Sequence, residues 1–147
     1  MPASAEIVTG RQAPDEQTPG VALAVTAEAL YLANLLLLPG LAFLVLLWLW
    51  RRRAEQPPLA ASHLSQTVSG SLWAGVLLVV ANGLIVLLGG YHGPYLWVVV
   101  ILYFTVCHST LVMFGAFGLA KAMSGLCWRY PLVGRPLPDG CPRTGSV

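Results

Sequence analysis

Residues 29–50 read "ALYLANLLLLPGLAFLVLLWLW", and how this stretch is folded decides the architecture. It is long and apolar enough for one bilayer crossing, which needs about 20 residues. Pro39 and Gly40 lie near its middle. Proline removes a backbone donor and crowds the preceding turn, so a kink in a continuing helix is expected there. Thr26 and Glu28 just ahead suit an N-terminal cap and the positive end of a helix dipole.

From Gln56 to Ala120 the chain contains no Asp, Glu, Lys or Arg. Over the whole chain 56% of residues are hydrophobic and 10% charged, against about 25% charged in soluble domains. The charge-free run holds two more candidate spans, about 71–91 and 95–120. These runs do not alternate as barrel strands do, and backbone in lipid must satisfy itself, so helices are expected. The fold class read from sequence is therefore all-α, an integral membrane protein with three transmembrane helices. Residues 1–26 are expected to form a polar extracytoplasmic tail, 27–123 the membrane domain and 124–147 an irregular cytoplasmic tail. The N-terminus lacks the basic-then-apolar pattern of a cleavable signal peptide.

Charge sets the orientation. Residues 1–28 carry Arg11 against four acids, whereas Arg51, Arg52 and Arg53 follow the first span, and Lys121, Arg129, Arg135 and Arg143 follow the third. With three spans these basic residues share one side, which the positive-inside rule assigns to the cytoplasm. The N-terminus is then expected outside and the C-terminus inside, in a bacterial-type inner membrane. Arg51, Arg52, Arg53, Lys121, Arg129 and Tyr130 are the expected membrane-anchoring residues. Tyr31, Tyr95 and Trp97 fit an outer aromatic belt, and Trp48, Trp50 and Trp128 an inner one. The lipid bilayer and other membrane subunits are the expected partners, and the small net charge of +2 gives no reason to expect nucleic acid. Cys107, Cys127 and Cys141 belong to no paired motif. Two of them fall on the predicted cytoplasmic side, where thiols stay reduced, so no disulfide is expected.

His108, in "YFTVCHSTLVMFG" (103–115), lies about 20 Å into the third span at 1.5 Å per residue. Ionisable groups at that depth mark function by default. The short link at 92–94 makes the last two spans antiparallel, which brings Asn82 within about a turn of His108. An interhelical polar contact is the leading reading, with helix packing carried by Asn82, His108, Gly115 and Gly118. Axial ligation of haem or a chlorophyll-type pigment by His108 is the alternative. Cys107 and His108 point about 100° apart on a helix and make a poor metal pair. No catalytic set, metal motif or phosphate loop is present, so neither an enzyme nor a metal site is expected.

Ala120, Lys121, Ala122, Gly125, Arg129, Tyr130 and Pro131 in "LAKAMSGLCWRYPLVGR", with His63 and Gln66 upstream, give a further pattern. It resembles the DUF4870 / Tic20-like family of small multi-span membrane proteins. The resemblance implies an inner-membrane helical protein and, through distant plastid relatives in protein import, a translocation or channel component. The residues themselves favour a non-catalytic accessory or scaffolding subunit of a larger membrane complex, with a lean toward an energy-transducing (photosynthetic or respiratory) assembly.

Overall fold

The computed structural model describes residues 18–89 and 92–142, and no strand occurs among them. The order is α1 (Val21–Leu36), α2 (Leu41–Arg51), a 3-10 turn (Arg53–Glu55), α3 (Pro58–Gly75), a π-helical stretch (Val76–Val80), α4 (Ala81–Gly89) and α5 (Leu96–Met123).

The stretch 29–50 is not one helix. The amides of Leu37 and Leu38 both donate to Ala33 O, at 2.9 and 2.8 Å, which ends α1. Pro39 has no amide to extend the ladder and restricts the residue before it. Gly40 takes φ +86°, which disfavours any side chain, and its amide donates to Asn34 Oδ1 at 2.9 Å. What the sequence suggested as a kink is a reversal. Leu46 of α2 returns to the same cluster as Ala27 and Tyr31 of α1, together with Leu64, Val68 and Tyr130. α1 and α2 therefore form a helical hairpin whose turn, Leu37–Gly40, is exposed.

The neighbours fix the directions of the other helices. A Cβ on Gly20, before α1, would meet Ala60 and Pro57 at the start of α3, while Tyr31 further along α1 reaches Gly70. α1 and α3 thus run parallel. Gly125, Gly118 and Gly115 approach Thr18, Glu28 and Tyr31 in turn, so α5 runs antiparallel to both. Pro58 at the first turn of α3 is well placed, because its missing amide would have no partner there.

Length separates the two kinds of element. Pro58–Gly89 is a continuous 32-residue apolar helix and α5 has 28 residues, whereas the hairpin arms have 16 and 11. At 1.5 Å per residue the long helices exceed the roughly 30 Å hydrocarbon core, and the arms, about 15–25 Å, do not. The expected three spans are thus replaced by two long apolar helices and two shorter ones. The helix that contains the expected 71–91 span begins earlier, at Pro58, and runs to Gly89. The third, at 96–123, lies close to the expected 95–120. Thr18 and Gly125 lie at the same end of the fold, against the expectation that the two termini lie at opposite ends.

Local expectations also change. Thr26 lies inside α1, with its hydroxyl on Ala22 O at 2.8 Å, because the helix starts at Val21 after Gly20 (φ +91°). Tyr31 and Tyr130 are buried in the core, not placed in interfacial belts. Most of the expected N-terminal tail and the last five residues lie outside the described residues. Residues 124–142 are irregular, yet they fold back over the helix ends and are closed by a Cys127–Cys141 disulfide with Cα atoms 5.9 Å apart. This overturns the expectation of free thiols. The tertiary path of the loop brings together two cysteines whose spacing carries no motif.

Candidate functional site

Three polar features stand out from the apolar frame. The first is a closed cluster around Glu28, whose side chain is fully buried. His63 Nδ1 lies 2.6 Å from Glu28 Oε1, and the Tyr130 hydroxyl donates to Glu28 Oε2. His63 Nε2 is 3.1 Å from Leu126 O. A carbonyl can only accept, so Nε2 carries a hydrogen. One further proton lies between Nδ1 and Oε1, and the pair has no net charge whichever atom holds it. That neutrality lets a carboxyl and an imidazole sit among Ala27, Tyr31 and Leu64 without an uncompensated charge.

α3 supplies a row of such anchors. Gln66 clamps Arg135 from both sides, with Nε2 donating to Arg135 O at 2.7 Å and Oε1 accepting from Arg135 N at 3.0 Å. The Ser69 hydroxyl donates to Val133 O at 2.7 Å. His63, Gln66 and Ser69 recur every three residues, on one helix face. Together they hold the C-terminal loop at Leu126, Val133 and Arg135. Gly70, one residue on, admits the rings of Tyr31 and Tyr130, which lie 5.4 Å apart.

Burial and the adjacent Glu28 carboxyl push the Tyr130 hydroxyl well above the usual tyrosine range. The folded state therefore holds this proton where the unfolded chain, titrating near 10.0, releases it. The stabilisation is complete below pH 10 and declines as pH rises beyond it. Unfolding midpoints measured from pH 8 to 12 are expected to fall steeply above pH 10. Tyr130→Phe, less stable at pH 8, should show a shallower alkaline fall. Parallel curves would remove Tyr130 from this role.

The second feature is a basic rim. Arg53 lies 3.8 Å and Arg135 5.6 Å from the centre of the Trp50 ring, and Arg52 lies 4.9 Å from that of Trp48. Arg51 and Arg129 are exposed, and Lys121 lies in the last turn of α5. Tyr130, grouped with these residues by sequence, belongs instead to the buried cluster.

The third feature surrounds His108, halfway along α5. Its ring stacks on Phe104, with centroids 5.3 Å apart and planes 10° from parallel. The expected Asn82 contact is not how Asn82 is used. Its Nδ2 donates to Leu78 O at 2.9 Å within its own helix, where the backbone widens into the π stretch. His108 Nδ1 is buried with no partner among the described residues. Gly115 and Gly118 face inward onto α1, so they pack this chain's own hairpin and not the helix of another subunit.

Sequence reasoning missed the Glu28 cluster because Glu28 read as a dipole charge and Tyr130 as an interfacial anchor. The available signal was one acid, one histidine and one glutamine set in apolar helices, each needing a partner once buried.

A family model described as the magnetosome magnetite crystal formation protein family matches residues 21–137. No curated protein and no solved structure matches the chain. The match covers the residues that carried the DUF4870 / Tic20-like resemblance and replaces it. Those residues answer structural demands of a helix end: Ala122 and Tyr130 are buried and Gly125 takes φ +67°. The lean toward an energy-transducing assembly finds no support in this match. From Val21 through the C-terminal loop, the chain belongs to the magnetosome magnetite crystal formation protein family.

Proposed function

We propose that this chain is a non-catalytic accessory protein of the magnetosome membrane that serves magnetite crystal formation. The family match carries this reading. The closed Glu28 cluster supports its non-catalytic part. Every polar atom there is committed within the chain, and neither of two cavities seen among the described residues is lined by Glu28, His63 or Tyr130.

In this reading Pro58–Gly89 and α5 cross the bilayer, and the α1–α2 hairpin enters from one face and returns to it. Non-helical backbone at membrane depth is tolerated only against protein or a cavity. Within the Leu37–Gly40 turn, Pro39 and Gly40 border a cavity against α3 and α5, while Leu37 and Leu38 stay exposed. Thr18, Gly125 and the arginine rim then share one face, which the positive-inside rule makes cytoplasmic. The Cys127–Cys141 bond, more at home in an oxidising compartment, argues for the opposite face. The charge bias acts during insertion, before a disulfide can form, and so sets the orientation. Guanidinium groups over Trp48 and Trp50 anchor that face at the headgroup level.

Two experiments test the reading. In a magnetite-forming bacterium the tagged chain should fractionate with crystal-bearing vesicles, and its deletion should change crystal size or number. Residence in the bulk inner membrane with unaltered crystals would overturn the assignment. For topology, single cysteines at Thr18, Pro94 and Ser124 in a cysteine-free background should be labelled by an impermeant maleimide. Thr18→Cys and Ser124→Cys are expected to react from the same side and Pro94→Cys from the other. Labelling of Thr18 and Ser124 from opposite sides would restore three spans.

A further inference from the structure

The C-terminal loop carries a strained residue that gains no burial within the chain. Leu132 takes φ +65° and is 100% exposed. The amide of Val133 donates to Pro131 O at 2.7 Å and that of Gly134 to Tyr130 O at 3.0 Å, a tight turn with Leu132 at its tip. A bulky side chain in this left-handed region is strained, where glycine or asparagine would fit with less cost. The turn is held from both sides: Tyr130 is bound to Glu28, Ser69 holds Val133 O, and Gln66 clamps Arg135. The tip is therefore a fixed projection that presents an apolar side chain outward.

Place and charge say what it meets. A Cβ on Gly70 of α3 would touch the Tyr130 ring, so the turn lies beside Gly70. The exposed apolar surface of α3 starts just beyond, at Leu72 and Trp73. In the membrane placement proposed above, on which this inference rests, that level is the headgroup boundary. Three guanidinium groups are tied to the same corner. Arg129 Nε donates to Gly134 O at 3.4 Å, and Arg135 and Arg53 lie 5.6 and 3.8 Å from the centre of the one Trp50 ring. None of the three forms an ion pair with Asp or Glu among the described residues, where the ion pair seen joins His63 and Glu28.

We propose that this loop docks into the bilayer surface and holds an anionic phospholipid. Leu132 enters the outer acyl region, where burial offsets the strain of the turn. Arg53, Arg129 and Arg135 hold the phosphate-bearing headgroup, whose oxygens match the guanidinium fork. A zwitterionic lipid would bring its own cation to this corner, so a net negative headgroup is favoured. Free phosphate would satisfy the arginines and leave Leu132 in water, so a lipid accounts for both features.

The full chain carrying Cys107→Ser, which removes the free thiol and keeps the Cys127–Cys141 bond, is reconstituted into vesicles with a nitrobenzoxadiazole label on Leu132→Cys. Phosphatidylglycerol or phosphatidylcholine bearing a shallow acyl-chain nitroxide is titrated in as quencher. A second chain labelled at Val106→Cys, a site 58% exposed on α5, reports membrane embedding alone. The label at 132 is expected to be quenched, and more strongly by phosphatidylglycerol. That preference should fall roughly fivefold for each of Arg129→Gln and Arg135→Gln, the effect of about 1 kcal/mol per basic residue near an anionic surface. Arg51→Gln, with the same change of charge, should leave it in place. Circular dichroism confirms that each variant is folded. Quenching at 106 with none at 132, equal quenching by the two lipids, or as large a loss in Arg51→Gln as in Arg135→Gln would each overturn the proposal while leaving the membrane placement standing. Absence of quenching at both positions would overturn the placement and the proposal with it.

Discussion

Replacing His63 with alanine is expected to cost about 3–5 kcal/mol of folding free energy, the range for removing one partner of a buried ion pair. The substitution leaves the Glu28 carboxyl fully buried beside a void, and it also releases Leu126 O, which His63 Nε2 holds at 3.1 Å. Loss of helical circular dichroism as the fraction of SDS rises in mixed micelles measures the effect. The double variant Glu28→Leu/His63→Leu is the informative companion. It removes both polar groups at once, and replacing a buried pair with apolar residues is often near neutral. Its cost should therefore fall well short of the sum for Glu28→Leu and His63→Leu. Additive costs would mean that the two side chains act separately and that the 2.6 Å contact does not bind the hairpin to α3.

Gly118→Ala is the second large effect. A Cβ at this position meets Glu28 Oε2 at 2.5 Å and its carboxyl carbon at 2.6 Å. The carboxyl is held on both oxygens, by His63 and Tyr130, and cannot swing away without breaking a bond. Overpacking of this kind costs about 1–3 kcal/mol, and displacing the carboxyl adds to it. Gly83→Ala is the control. Its Cβ meets nothing within 4 Å, so the exchange should stabilise the helix by roughly 0.5–1 kcal/mol. The same SDS titration reads both. If Gly118→Ala proved as harmless as Gly83→Ala, α5 and α1 would not approach as closely as the fold requires. The small residues of α5 would then be free for a neighbouring subunit, as their spacing alone suggests.

The contrast between these glycines shows why part of the fold is legible in the sequence and part is not. α5 can be read directly, because a long charge-free run in lipid has only one way to satisfy its backbone. The apolar character of 29–50 is equally plain, but the choice between a kink and a reversal is not. Both use Pro39 and Gly40, and the outcome rests on Asn34 capping the Gly40 amide and on Leu46 finding a place beside Ala27 and Tyr31. Once the chain reverses, Thr18 joins Gly125 at one end of the fold.

By itself the sequence determined that the protein is helical and membrane-embedded, with His108 midway along its last long helix, since composition and hydropathy act locally along the chain. Only the tertiary structure decided that Glu28, His63 and Tyr130 share a proton-bearing cluster and that Cys127 meets Cys141. Their separations in sequence are bridged by the hairpin and the returning C-terminal loop, and the pairing energy of a buried polar group depends on what surrounds it after folding, not on its neighbours in the chain.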